Sequence, residues 1–172
     1  LPGARLVFAG SGEIERAIRV HQNLLARPDL PSAQRSQAQY ELGMDYLKAG
    51  LLDRAEETFN GMLDGSYSVQ AQRALLEIYQ REKEWSRAIE AATGLQASGA
   101  GARQKEIAQF YCELAQDALV RVDLPDAMAL LDKALHADRN SVRATMLLGD
   151  VLLAQGDVEG AIGAWKRVEQ QS

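Results

Sequence analysis

A small residue returns in the same kind of context five times along this chain, and that spacing limits the fold more than any other feature. Ala17 sits in GEIERAI, Ala55 in LLDRAEE, Ala88 in EWSRAIE, Ala127 in LPDAMAL and Ala161 in DVEGAIG. Their separations are 38, 33, 39 and 34 residues. Two of these lie within one residue of a period of about 34, and a period in that range means one helical unit stacked on copies of itself. The two longer intervals contain breaks, PDLPS at 28–32 and SGAGA at 98–102, where Pro and Gly interrupt helical segments. Those two junctions are expected to be the most exposed breaks in the chain.

The fullest unit is residues 39–63, QYELGMDYLKAGLLDRAEETFNGML. With Ala55 at position 20, Leu42, Gly43, Tyr46, Gly50, Phe59 and Met62 fall at positions 7, 8, 11, 15, 24 and 27, which resembles a tetratricopeptide repeat. Each position has a physical task. Gly43 and Ala55 are small enough for two antiparallel helices to approach closely, while Tyr46, Phe59 and Met62 fill the space around that contact. Gly50 ends the first helix, where a left-handed residue is cheap for glycine.

The resemblance implies an all-α fold, a right-handed superhelical solenoid of antiparallel helix pairs whose first helices line a concave groove. The expected units are 1–31 (partial), 32–66, 67–100, 101–139 and 140–172. In the first, Phe8 and Gly12 take positions 11 and 15, Arg5 stands where a small residue is usual, and a second helix runs from about 13 to 26. The third holds Leu75, Tyr79, Trp85, Ala88 and Leu95, but Lys83 replaces the hairpin glycine, so a less tightly specified turn is expected there. In the fourth, Asp123 and Pro125 start the second helix as an N-cap and a first-turn proline. The fifth carries Leu148, Gly149, Gly156, Ala161, Trp165 and Val168. The chain opens on Leu1-Pro2-Gly3 and closes in repeat phase, as expected of a segment of a longer protein. Apolar surface around Val7 and Phe8, and around Trp165 and Val168, offers a route to self-association through uncapped ends.

Composition narrows the function. Only 6% of residues are aromatic and only 4 are proline, while the net charge of -5 comes from intermixed signs. No polybasic run suggests nucleic acid or direct membrane contact, and no apolar run approaches the roughly 18 residues that read as a membrane span. Catalytic chemistry finds no footing. His21 and His136 stand in separate units, His21 at a packing position, and the one cysteine, Cys112, has no histidine near it in the repeat frame. No phosphate-binding glycine loop is present. Neither an enzyme nor a cofactor or metal site is expected within this segment.

Beyond the generic repeat, RAIRVHQNLL, LGMDYLKAGLLDRAEETFN, EIAQFYCELAQDAL and DRNSVRATMLLGDVLLAQGD are similar to the cytoplasmic repeats of the lipopolysaccharide assembly protein B (LapB/YciM) family of Gram-negative bacteria. The similarity runs from about Gly12 to Gln170. It implies a non-catalytic adaptor at the cytoplasmic face of the inner membrane, regulating lipopolysaccharide biosynthesis with a membrane AAA protease and other pathway proteins as partners. The family's transmembrane anchor and C-terminal metal domain have no counterpart in these residues. An alternative is the substrate-selecting repeat arm of a larger enzyme, such as an N-acetylglucosaminyl transferase-like protein. A carboxylate clamp is disfavoured, because its Lys and Asn positions hold Tyr40 and Met44 in one unit and Arg73 and Glu77 in the next.

The repeat frame assigns the concave groove. Positions 2, 5, 9, 12 and 13 of each first helix are Gln37, Tyr40, Met44, Leu47 and Lys48, then Gln70, Arg73, Glu77, Gln80 and Arg81. The later units contribute Gln109, Cys112, Gln116, Leu119 and Val120, then Arg143, Met146, Asp150, Leu153 and Ala154. Over these positions Lys48, Arg73, Arg81 and Arg143 oppose Glu77 and Asp150, a net charge of about +2 on an acidic chain. The expected occupant is an extended or helical protein segment with net negative charge.

Overall fold

A computed structural model describes residues 2–171, with side chains described from 12 to 171. Nine α-helices and no strand occur among the described residues: α1 (Pro2–Leu25), α2 (Ser32–Lys48), α3 (Leu52–Asn60), α4 (Ser68–Arg81), α5 (Trp85–Ala97), α6 (Gln104–Val120), α7 (Leu124–Ala137), α8 (Val142–Ala154) and α9 (Val158–Gln171). This is the helical repeat solenoid that the spacing predicts, built from antiparallel pairs. The chain forms two compact units, Leu1–Ile78 and Tyr79–Ser172, the division falling inside α4.

In the first unit α2 packs against both α1 and α3. Ala55 and Phe59 on α3 are wholly buried, and Phe59 lies so close to Gly43 of α2 that a Cβ there would stand 2.6 Å from its ring. Ala38, Leu42, Tyr46 and Met62 complete the packing. Burying a side chain such as Phe59 contributes about 1.5–3 kcal/mol, so the close approach permitted by glycine is what turns an aromatic ring into stability.

The second unit repeats the arrangement. α6 packs on α7 and α8 on α9, and α8 also crosses α6 and α7. Its core is made mostly of small residues, with Ala108, Ala115, Ala118, Ala127, Ala134 and Ala144 around Leu131 and Val151, all wholly buried. Ala88 and Ala161, the remaining period-marking residues of this unit, are also fully buried, and Trp85 stacks on Phe110 with centroids 5.8 Å apart. Helix starts follow their caps. Asp123 accepts from the Asp126 N–H at 3.2 Å with Pro125 in the first turn, and Ser141 accepts from the Ala144 N–H at 3.2 Å.

The hairpin turns share one geometry whatever their residue. After α2, the Leu51 N–H bonds the Tyr46 carbonyl at 2.9 Å and the Gly50 N–H bonds that of Leu47 at 3.0 Å. The same pair recurs at Glu84 and Lys83, at Asp123 and Val122, and at Asp157 and Gly156. This is a Schellman termination, with the residue after the cap left-handed. Lys83 (φ 57°) and Val122 (φ 59°) adopt it as Gly50 (φ 75°) and Gly156 (φ 84°) do. The turn at Lys83 is therefore as fully hydrogen-bonded as the glycine turns, contrary to the looser turn expected there.

A second correction concerns the first unit. The spacing predicts a hairpin turn at Gly12, yet α1 runs unbroken through it. Glycine permits the left-handed conformation without imposing it, and Gly12 does not adopt it. The expectations for Arg5, Val7 and Phe8 concern side chains outside the described residues. The junctions at 28–32 and 98–102 are exposed apart from Leu30 and Ala100, which are half-buried.

Candidate protein-interaction surface

On α2, Gln37 and Lys48 are exposed, while Tyr40 and Met44 are half-buried and Leu47 is buried. Tyr40 stacks on Tyr67 with centroids 5.3 Å apart and tilts against Phe59 at 5.9 Å. One face of its ring is thereby committed to the repeat junction, so Tyr40 supports the α2 face as well as presenting on it. On α4, Gln70, Arg73, Glu77, Gln80 and Arg81 are all exposed.

The second unit brings three of its assigned positions into a single network. The Arg143 guanidinium on α8 reaches across to α6, where it donates to Gln109 Oε1 at 3.1 Å, Glu113 Oε1 at 3.0 Å and Gln116 Oε1 at 2.7 Å. Three residues assigned from the repeat frame, Gln109, Gln116 and Arg143, thus meet in space although about thirty residues separate the helices in sequence. Asp150 is exposed further along α8, with Met146 and Leu153 exposed beside it.

Two features of this network differ from the expectation. The repeat frame assigns Cys112 to the groove lining, but it is wholly buried beneath the α6–α8 contact. Burial pushes its thiol above the ordinary range, against the opposing pull of the Arg143 guanidinium and the Ser141 hydroxyl. It is a packed core residue and offers nothing to a partner. The other difference is Glu113, which the frame did not assign. It pairs with Arg143, both side chains about one-third exposed, so counting it lowers the net charge of the assigned face from about +2 to about +1. What remains is a polar ladder of amides around one partly satisfied arginine, suited to hydrogen-bonding a backbone as much as to attracting charge.

A separate polar cluster ties α1 to α2. The half-buried His21 ring sets Nε2 2.8 Å from Glu41 Oε2 and Nδ1 2.6 Å from Asp45 Oδ2. Beside it Gln22 donates to the Tyr46 hydroxyl at 3.0 Å, and Arg35 caps α1 by donating to the Leu25 and Arg27 carbonyls. The repeat frame marks His21 only as a packing position. Its two carboxylate partners lie 20 and 24 residues away, beyond what helical periodicity can show.

The tetratricopeptide-repeat model matches residues 6–68 and 112–171, well over half of the chain. The chain belongs to the tetratricopeptide-repeat family. The stretch between the two matches holds the repeat with Lys83 at its hairpin and the long junction at 98–102. The chain is also similar to lipopolysaccharide assembly protein B of Escherichia coli (strain K12), with 42% identity over 166 residues, 96% of this chain and 43% of the relative. The protein of the same name from Haemophilus influenzae is 32% identical over 167 residues, covering 96% of the chain and 42% of the relative. The chain thus spans less than half the length of these curated relatives. Among solved structures, a crystal structure of MamA aligns over 93% of this chain and 89% of its own, with 20% identity and a TM-score of 0.48.

Proposed function

We propose that this chain is the protein-interaction repeat region of a lipopolysaccharide assembly protein, and that it acts as a non-catalytic adaptor. The observation that carries the reading is the 42% identity to lipopolysaccharide assembly protein B across 96% of the chain. The fold supports it. Tetratricopeptide helix pairs present side chains on an open face, and here α4, α6 and α8 expose Arg73, Gln109, Gln116 and Asp150 on the assigned positions.

On this reading the assigned face takes a segment of a partner protein with net negative charge. In the first unit Lys48 and Arg73 attract such a segment, and in the second unit, taken by itself, the Arg143 network offers hydrogen-bonding groups to one. The partner is a membrane AAA protease or another protein of the lipopolysaccharide pathway, met at the cytoplasmic face of the inner membrane. Among the described residues no helix is long and apolar enough to cross a membrane.

The test is co-purification from solubilised inner membranes, comparing the whole protein with its Lys48→Glu, Arg73→Glu variant. Both positions are exposed, so the variant should melt like wild type. The reading expects recovery of the AAA protease to fall by about tenfold or more, the size of one lost charge-assisted contact. Undiminished recovery at low salt would refute the assigned face.

A further inference from the structure

Three clefts of one kind recur among the described residues. Each lies between two successive second helices with the intervening first helix as its floor: α1 and α3 over α2, α5 and α7 over α6, and α7 and α9 over α8. Because the backbone arrangement is equivalent, the differences between the clefts come from their side chains. The first, about 580 Å³, is lined by one cation and one anion, Arg54 and Glu57. The second, about 550 Å³, is also balanced, with Lys133 against Asp132. The third is the largest of the three at about 960 Å³, and there Arg139 and Arg167 face only Asp132.

Neither Arg139 nor Arg167 has a side-chain hydrogen bond or ion pair among the described residues. Two exposed guanidinium groups without a protein partner, in a concave site on a chain of net charge -5, form a local reversal of sign. Around them stand Asn140 and Gln170, whose amides both donate and accept.

We propose that the α7–α9 cleft is a second docking surface, for a carboxylate-bearing segment of a partner protein. A guanidinium presents a planar fork of donors that matches a carboxylate two bonds at a time. The flanking amides suit the alternating N–H and C=O groups of an extended backbone. Asp132 repels a carboxylate placed at the wrong end and so sets the register of the segment. A lipid surface fits less well, since polybasic lipid sites gather about 4–8 Lys or Arg. Single-stranded nucleic acid fits less well too, because no Phe, Tyr or Trp lines the cleft for bases to stack on. The proposal rests on reading the chain as a protein-interaction region, but it uses none of the residues assigned to the first-helix face.

The experiment measures fluorescence anisotropy of a labelled peptide of alternating Glu and Asp, titrated with the full chain at low salt. Controls are a Gln/Asn peptide of equal length, phosphatidylglycerol vesicles and inorganic phosphate. The expected result is saturable binding of the acidic peptide, weakened about tenfold or more in Arg139→Glu, Arg167→Glu and unchanged in Lys48→Glu, Arg73→Glu. The milder Arg139→Gln, Arg167→Gln protein should show an intermediate loss with an unaltered melting curve, which separates lost recognition from lost folding. Failure of the wild-type chain to bind the peptide would overturn the proposal. So would equal binding of the Gln/Asn peptide, preference for vesicles, or full competition by phosphate at concentrations equal to the peptide's. A loss confined to the Lys48→Glu, Arg73→Glu protein would move the peptide to the first-helix face and leave that reading standing while removing this one.

Discussion

Gly149 lies against the indole of Trp165, so close that a Cβ on residue 149 would fall 2.6 Å from Cδ1 and 2.7 Å from Cε2 of that ring. The pair closes α8 onto α9 as Gly43 and Phe59 close α2 onto α3. Small against aromatic is the recurring lock of this fold.

Gly149→Ala should therefore destabilise the chain by about 1–3 kcal/mol, the usual cost of overpacking. Gly43→Ala should cost at least as much, because Phe59 is wholly buried and has nowhere to shift, whereas Trp165 is half-buried. Gly163 is the control. It lies inside α9 with nothing within 4 Å of an added Cβ, so Gly163→Ala should stabilise by about 0.5–1 kcal/mol. Denaturant melts of the three variants check both the signs and the order.

Val122 is a β-branched residue at φ 59°, in a turn that two other repeats build with glycine, and its side chain is 76% exposed. A left-handed residue with a Cβ costs about 1–2 kcal/mol, and glycine forfeits about 0.5–1 kcal/mol through its freer unfolded chain. Val122→Gly should consequently stabilise the protein by about 0.5–1 kcal/mol. A lower melting temperature in the variant would show that the exposed valine makes compensating contacts.

The packing of this chain was legible in its sequence because packing selects for volume, and volume repeats. Ala55, Ala88, Ala127 and Ala161 recur at the repeat spacing, and all four are wholly buried. The cap at Asp123 was legible for a similar reason, since its hydrogen bond is local. What stayed hidden depends on reach across helices or on backbone choices that side chains merely allow. Lys83 and Val122 hold a glycine conformation that the surrounding hydrogen bonds impose. Gly12 was free to break α1 and does not. A repeat frame also says which side a residue faces without saying what covers it. Cys112 faces the assigned side and is buried under the α8 contact, and Glu113 lies off the assigned positions yet reaches Arg143.

Cys112 carries a pH prediction. Burial raises its pKa in the folded chain, with Arg143 and Ser141 opposing. Above the ordinary thiol range, about 8.5, the unfolded chain loses this proton while the folded chain keeps it. The unfolded state then binds fewer protons, and stability falls as pH rises from that range through the raised folded value. Wild type should lose stability relative to Cys112→Ala between neutral and alkaline pH, and native Cys112 should resist iodoacetamide until the chain unfolds. Rapid alkylation of the native chain would contradict the burial.

The most direct test of the central claim is site-specific photo-crosslinking in the whole protein within membranes. A photoreactive residue replaces Gln116, beside Arg143 on the assigned face, or Glu90, exposed on the second helix α5. The account predicts a protein adduct from position 116 that disappears in the Arg143→Glu background, and none from position 90. An adduct from position 90 alone, with position 116 silent, would contradict it.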